Sequence, residues 1–561
     1  MRGFMSSVDY RLHFGLGANS LIDSVKVEWP NGKINILKQV LADRQIEVFQ
    51  KDAVDEIPHH REINLTSNTV FSPMLMRGVD FSHEENVFSD FDNDRLLFNM
   101  VSNEGPCVCA ADIDADGLED FYVGGAKGQA GAIYFQTKAG GFRKSQQPAI
   151  DKDRDSEDID CIFFDSDGDK RPDLYVTSGS NEFSSSSVAL LDRLYINVGR
   201  GVFSRSEQVL PSSNSFESTS TVSVADFDSD GDMDLFVGAR LIPSFYGVPA
   251  SGFILRNDGR GNFIDVTSEV APQLAKLGLI TDSQWIDVNH DKLPDLVVVG
   301  EWMPIKVFIN HHGKLRDESE SFGLKNTEGW YHTLATGDFN ADGFEDFFVG
   351  NHGLNSRFKA SETEPVELHI NDFDQNGTID HILTHYDQGK SYPMVLRQDI
   401  VSQIPSLKKK FLHFRDYQGK GINDIFSPQQ REKSIILKAS TFESAVWMNT
   451  GKQSFEKKTL PVQAQFSTIY ASLVADFDKD GNDDILVGGN LYRAKPETGI
   501  YDAGYGLLLK GRGNGSFEPL PSQKSGVLIR GEIRDLKSIP FKKQHVVVIG
   551  KNNDHLEFLK Y

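Results

Sequence analysis

Cysteine is scarce in this chain of 561 residues: Cys107, Cys109 and Cys161 are the full set. Three cannot build a disulfide framework. Cys107 and Cys109 flank one residue in an apolar run, where buried strand residues are expected. Basic charge is also short. Lys and Arg number 58 against 81 Asp and Glu, a formal net charge of −23. That balance argues against nucleic acid as a partner, since phosphate binding needs a basic surface. It suits cations, or simply a solvated acidic surface, and the positions of the acids must decide. Long hydrophobic runs are missing. No stretch of about 18 apolar residues exists, so no transmembrane helix is expected. Met1 to Gly17 shows no basic segment followed by an apolar run, so no signal peptide is read there. Catalytic signatures are missing too: there is no P-loop, H-E-x-x-H or G-x-S-x-G. Ser406-x-x-Lys409 and Ser454-x-x-Lys457 copy the first motif of penicillin-binding enzymes without its partner motifs and are read as coincidence. No enzyme is expected from these motifs.

What the chain has is aspartate in a fixed spacing, D-x-[DN]-x-[DN]-x-x-x-D. It occurs at Asp112, Asp114, Asp116 and Asp120; at Asp165, Asp167, Asp169 and Asp173; and at Asp226, Asp228, Asp230 and Asp234. It returns at Asp287, Asn289, Asp291 and Asp295; at Asp338, Asn340, Asp342 and Asp346; at Asp372, Asp374, Asn376 and Asp380; and at Asp476, Asp478, Asp480 and Asp484. Average residue usage would give on the order of a few hundredths of a match in such a length. The spacing suits calcium, which takes six to eight oxygen ligands in flexible geometry. A tight loop can aim side chains 1, 3 and 5 at one centre, with the seventh carbonyl and the ninth carboxylate completing the shell. Gly117, Gly231, Gly343, Gly377 and Gly481 at the sixth position permit the positive φ of the turn. Lys170 and Lys292 stand there instead, so those two loops are expected to bind most weakly. The loops starting at Asp112, Asp226 and Asp476 are expected to bind most tightly. Metal-free Asp turns are the plainer reading, but turn preference does not explain the ninth position.

The flanks exclude an EF-hand, which needs helices on both sides. The ninth position is followed by runs such as Phe-Tyr-Val-Gly-Gly and Leu-Phe-Val-Gly, which read as short buried strands. A hairpin of the form Asn-x-Gly, x-Gly-x-Phe follows most loops, with its Asn at 197, 257 and 449 and a weaker version at Asn310. Strand, Asp loop, strand and hairpin make four antiparallel strands, which is one propeller blade. The expected fold is therefore all-β: a seven-bladed β-propeller, with eight blades as the alternative. The Asp372 loop follows Asp338 too closely for a full blade, and Asp476 comes late. The gap holds a segment of helical spacing at about 394–442 (Ile404, Leu407, Phe411, Phe414), read as an insertion on one rim. The last stretch, 527–561, reads as a blade without ligands that closes the ring with a strand near 71–79. Residues 1–52 read as a small β segment, with strands at 25–29 and 45–49 joined by a turn at Pro30-Asn31-Gly32. Residues 53–69 read as a linker, and 70–561 as the propeller. The acidic runs 151–158 and 90–94 lack the ninth carboxylate and read as plain charged loops.

The loops with their Val-Gly tails resemble the FG-GAP or VCBS repeats of integrin-α-like propellers. The segment from Ser7 to Gly17, with Val27-Glu-Trp-Pro-Asn-Gly32, resembles the ASPIC/UnbV domain found beside such repeats in cartilage acidic proteins and bacterial envelope proteins. The resemblance implies an extracellular or cell-envelope protein and a truncated ASPIC/UnbV part, so the expectation is either a C-terminal fragment or a start other than Met1. The functional expectation is a calcium-bearing binding or adhesion module for a protein or glycan. The alternative is a polysaccharide lyase or hydrolase with its site in the channel. Exposed rim aromatics would favour a glycan; convergent His, Tyr and Arg in the channel would favour the enzyme.

Overall fold

The computed structural model describes residues 11–29, 33–55, 69–211 and 216–561. It divides into two units, Met1–Thr66 and Ser67–Tyr561. In the first, Leu21–Glu28 pairs antiparallel with Lys33–Leu41, which also pairs with Val54–Asp55. The strand expected at 45–49 does not form; that stretch is irregular, and the partner is the nearer run 33–41. The expected turn residues Pro30, Asn31 and Gly32, most of the expected linker, and Ser7 to Tyr10 lie outside the described residues.

The second unit is a succession of four-stranded antiparallel sheets. The first runs Val108–Ala111, Asp120–Val123, Ala132–Gln136 and Phe142–Lys144. The next three begin with Asp158–Phe164, Ser218–Ala225 and Leu279–Ile286. The fifth begins with Gly329–Gly337, the sixth with Ile469–Ala475 and the seventh with Glu532–Phe541. Each of these first strands touches the first strand of the next sheet, and the seventh touches the first, so the sheets form a closed ring. Closure uses a strand from the front of the ring segment: Ser72–Pro73 pairs with Glu557–Lys560 as the outermost strand of the seventh sheet. Residues 527–530, expected as a strand, are irregular, although Val527 and Ile529 are buried.

The second strands are buried on both faces; all eight residues of Asp234–Leu241 are covered. A strand sandwiched between neighbouring sheets needs an unbroken apolar run rather than alternation. The Val-Gly tail has a packing cause. A Cβ on Gly238 would come 2.5 Å from Cγ2 of Ile280, in the first strand of the following sheet. On Gly488 it would come 2.7 Å from Ile533 in the same relation. The hairpin Asn has a cause as well. The amides of Asn197, Asn257, Asn310 and Asn449 donate to the carbonyls of Ile113, Ser166, Phe227 and Val288, the second residue of the preceding sheet's Asp loop, at 2.7–2.9 Å. Each hairpin is thereby tied to its neighbour.

One sheet lies outside the ring. Val366–Asn371, Asp380–Asp387, Lys390–Pro393 and Ile435–Ala439 form a four-stranded sheet between the second and third strands of the fifth ring sheet. The insertion is thus mixed and starts well before 394, and the Asp372 loop belongs to it. The expected helix is a chain of short ones, Arg397–Gln403, Phe414–Tyr417, Ile422–Ile425 and Pro428–Glu432. Ile404, Leu407 and Phe411 are buried with Phe373 of the Asp372 loop and Ile382 of that sheet. Phe414 is 65% exposed, because Pro405 and the turns after it break the helical register. Residues 82–105 run over the end of the ring opposite the loops between first and second strands. They bridge to His555, Ala494 and the aromatic cluster around Trp330. Asp90, read as part of a charged loop, is buried and accepts from the backbone N–H of Val101 and Ser102.

Candidate metal loops and the central channel

All seven Asp loops have one internal architecture. The first carboxylate accepts the N–H groups of positions 5 and 6, as Asp112 does from Asp116 and Gly117 at 3.0 Å each. The fifth accepts the N–H of position 7, as Asp230 does from Asp232 at 2.9 Å. The ninth is an anchor. Asp234 accepts from Phe227 N–H within the loop and from Asn257 N–H on the third strand, at 3.3 and 2.8 Å. Burial lifts the ninth carboxyls: Asp120, Asp234, Asp295 and Asp346 to about 7, Asp380 and Asp484 to about 6. Lys170 and Lys292 adopt φ of 68° and 70°, so the glycine turn is made without glycine, at a steric cost. A second left-handed residue stands at position 4 of every loop, including Ala115, Ser229 and Lys479. Nothing in the spacing of the acids signals it.

The third position carries the metal-like feature. Asp114, Asp228, Asp374 and Asp478 each bury a carboxylate oxygen with no hydrogen-bond partner. Carboxylate oxygens of positions 1, 3 and 9 lie within 4.8 Å of one another in the loops from Asp112, Asp165, Asp372 and Asp476, and those of 1, 3 and 5 do so in the loop from Asp226. In the Asp287 and Asp338 loops the third residue is Asn, whose amide donates to the fifth carboxylate at 3.0 and 2.9 Å. An oxygen-only set with an unpaired member fits a hard divalent cation. The Asp476 loop differs from its sequence reading. Lys510 pairs with Asp478, and also with Asp480 at 2.7 Å, placing an ammonium where a cation would sit. Arg171 pairs with Asp169 in the Asp165 loop. Arg171 is the seventh residue of its own loop, whereas Lys510 comes from the third strand Leu507–Gly511, so only folding reveals that second competition.

A cavity of about 610 Å³ is lined by the first strands of all seven ring sheets. Asp160, Asp282 and Asp535 occupy one register along it. Each reaches the next sheet: they accept from the N–H of Val222, Leu334 and Val108 at 2.8, 2.6 and 2.6 Å. Toward the end away from the Asp loops, His332, Tyr470 and Arg534 stand on consecutive sheets. The His332 and Tyr470 rings stack at 4.2 Å, and the Arg534 guanidinium lies 4.0 Å over Tyr470. Sequence reasoning missed this row, because its members are isolated single residues far apart in the chain. Arg240 pairs with Glu301 at 2.8 Å and with Glu104. His381 is buried beside Asp94, which fits a structural role.

Burial raises Asp160 and Asp282 to about 7. Their unfolded value is about 4, so the folded state binds more protons between about pH 4 and 7, and stability falls as pH rises through that window. Asp282→Asn keeps an acceptor for Leu334 N–H and removes the charge. It is expected to stabilise the ring by on the order of 1–3 kcal/mol above pH 7 and to have little effect near pH 4. Urea unfolding at pH 4.5 and 8 checks this; equal differences at the two pH values would refute it.

A family model described as ASPIC and UnbV matches residues 1–55. One described as FG-GAP-like repeat matches 112–176, 165–237 and 287–349. The chain carries FG-GAP-like repeats behind an ASPIC and UnbV segment. The FG-GAP-like matches span the Asp loops that start at 112, 165, 226, 287 and 338. The repeat is thus the unit of strand, Asp loop and buried strand described above. The chain matches no curated protein. Among solved structures, the V. cholerae biofilm matrix protein Bap1 is 13% identical, with 87% of this chain and 90% of that one covered and a TM-score of 0.38. Saccharomyces cerevisiae Sqt1 is 10% identical, with coverage of 82% and 99% and a TM-score of 0.38. At these values the likenesses carry no weight for the function of the FG-GAP-like ring.

Proposed function

We propose that the ring is a calcium-stabilised binding module, outside the cell or in the cell envelope, that presents the end away from its ring Asp loops to a glycan. One observation supports this most. A cleft of about 320 Å³ opens there, lined by Asn355, Arg357, Phe466, Thr498, Tyr501 and Asp502. Phe466 is 42% exposed. An exposed ring beside amide, guanidinium, hydroxyl and carboxylate groups suits a sugar, which offers an apolar face and a rim of hydroxyls. The loops that form the cleft are held by the ring, so calcium in the Asp loops would act at a distance, through rigidity. A glycan-array screen with calcium, repeated with Phe466→Ala, tests the reading. Expected are hits that the substitution weakens at least tenfold; no hit would defeat the glycan assignment and leave a protein partner, and hits indifferent to it would defeat the cleft as the binding place.

The second reading is a polysaccharide-acting enzyme centred on His332, Tyr470 and Arg534. Burial keeps His332 far below its usual range and raises Tyr470 to about 12. Neither is poised as a base near neutral pH. We therefore favour binding without turnover. Product formation from a polysaccharide, abolished by Tyr470→Phe, would reverse that preference.

A further inference from the structure

The insertion reverses the charge of the chain. The whole carries a formal net charge of −23, yet residues 396–420 hold six basic side chains, Arg397, Lys408, Lys409, Lys410, Arg415 and Lys420, against two acids, Asp399 and Asp416. Asp399 is already paired with Lys495 at 3.2 Å. Asp416 accepts from the backbone N–H of His413 at 2.8 Å. Lys408 and Lys409 are exposed, with no acidic partner among the described residues, and the side chain of Arg415 is 81% exposed. Large apolar side chains stand beside these charges: Leu396, Leu412 and Phe414 are 51, 64 and 65% exposed. Arg397 ties them together. Its guanidinium donates to the carbonyls of Phe411 and Leu412, at 2.7 and 2.8 Å, and lies 5.4 Å over the ring of Phe414. The Tyr417 hydroxyl donates to the carbonyl of Val395 at 3.1 Å, which holds the stretch with Leu396 to the same tip. Leu407 and Phe411 anchor it in the core of the insertion.

A single exposed leucine is ordinary, but three large apolar side chains on one anchored basic tip call for a partner. We propose that this tip of the insertion docks on an anionic phospholipid membrane. Basic side chains are drawn to lipid phosphates, while leucine and phenylalanine enter the boundary between headgroups and acyl chains. A glycan would need polar partners for its hydroxyls, which Leu396 and Leu412 do not offer. The rest of the chain is acidic, so an anionic surface repels it and admits the basic tip first. This docking needs neither the glycan cleft nor calcium in the Asp loops.

The test is flotation of the whole chain, in calcium chloride, with vesicles of phosphatidylcholine alone or mixed in equal parts with phosphatidylglycerol. Binding is expected to the mixed vesicles and not to phosphatidylcholine, and it should weaken as salt rises. Lys408→Glu with Lys409→Glu should lower the partition about tenfold or more, and Leu412→Ser with Phe414→Ser should repeat the loss. Both pairs lie on the surface, so their thermal midpoints should match the parent's. Phe414→Trp keeps a large ring in place and reads insertion directly: vesicles should shift its emission to the blue by more than the parent's. No binding to the mixed vesicles, or an emission that vesicles leave unchanged, would overturn the membrane assignment. So would binding that both paired variants keep, which would place the contact at the Asp loops, bridged by calcium. Self-association of the parent that the variants lose, without vesicle binding, would give the tip to a second copy of the chain instead.

Discussion

Removing calcium with EGTA is expected to lower the thermal midpoint by on the order of 10 °C. A ligand that binds only the folded chain stabilises it by RT ln(1 + [L]/Kd) per site. Modules that bind calcium at about 10⁻⁴–10⁻³ M would each contribute roughly 0.4–1.4 kcal/mol at 1 mM calcium. Seven loops multiply that, and in the six ring loops the ninth carboxylate is bonded to both loop and third strand, so losing an ion there loosens the hairpin as well. The loops should not be equal. Asp228→Ala removes an unpaired oxygen from a loop with glycine at position 6 and should cost more bound calcium than Asp167→Ala. Asp478→Ala should cost less than the sequence alone suggests, since Lys510 already neutralises that loop. Lys510→Met should therefore raise its affinity. Thermal scans with and without EGTA, followed by calcium titration of the four variants, check both statements. A midpoint indifferent to EGTA would defeat the calcium reading, and weaker binding in Lys510→Met would defeat the competition argument.

Trp330→Ala is expected to cost about 3–5 kcal/mol, the range for deleting a large buried aromatic. Trp330 is 2% exposed. It lies 4.8 Å from Trp302 of the fourth ring sheet, 5.0 Å from His352, 5.7 Å from Phe98 of the crossing segment and 5.8 Å from Phe358 of the insertion. One side chain thus joins four parts of the molecule. Its indole N–H is buried without a partner, so Trp330→Phe should cost markedly less than Ala. Urea unfolding with limited proteolysis is the measurement. A loss below 1 kcal/mol for Ala, or no added cleavage between 352 and 444, would show that the insertion is independent of the ring. The same packing bears on deleting 394–442. That cut removes Ile435–Ala439 from its sheet and uncovers Phe373 and Ile382, and an insoluble product is expected.

The repeat was legible because its chemistry is local. Four oxygens within nine residues, a left-handed glycine and a buried apolar run are set by near neighbours, so the spacing alone gave the Asp loops, their strands and the blade-like unit. The Val-Gly tail and the hairpin Asn were visible as patterns, but their reasons lie in the adjoining sheet, at Ile280 for Gly238 and at Ser166 for Asn257. Sequence reasoning went astray where a partner comes from far along the chain. Lys510 reaches Asp478 from the third strand, and Val366–Asn371 finds Ile435–Ala439 across the helices, which moves the start of the insertion forward. Glu157 looks like one more surface acid in the run 151–158, but folding leaves it 1% exposed. The sequence by itself determined the unit and its metal-like loop, because those depend on contacts a few residues long. Only the tertiary structure decided how the ring closes, which loop faces a competing cation and which acids are buried, because burial and charge pairing depend on what distant segments bring alongside.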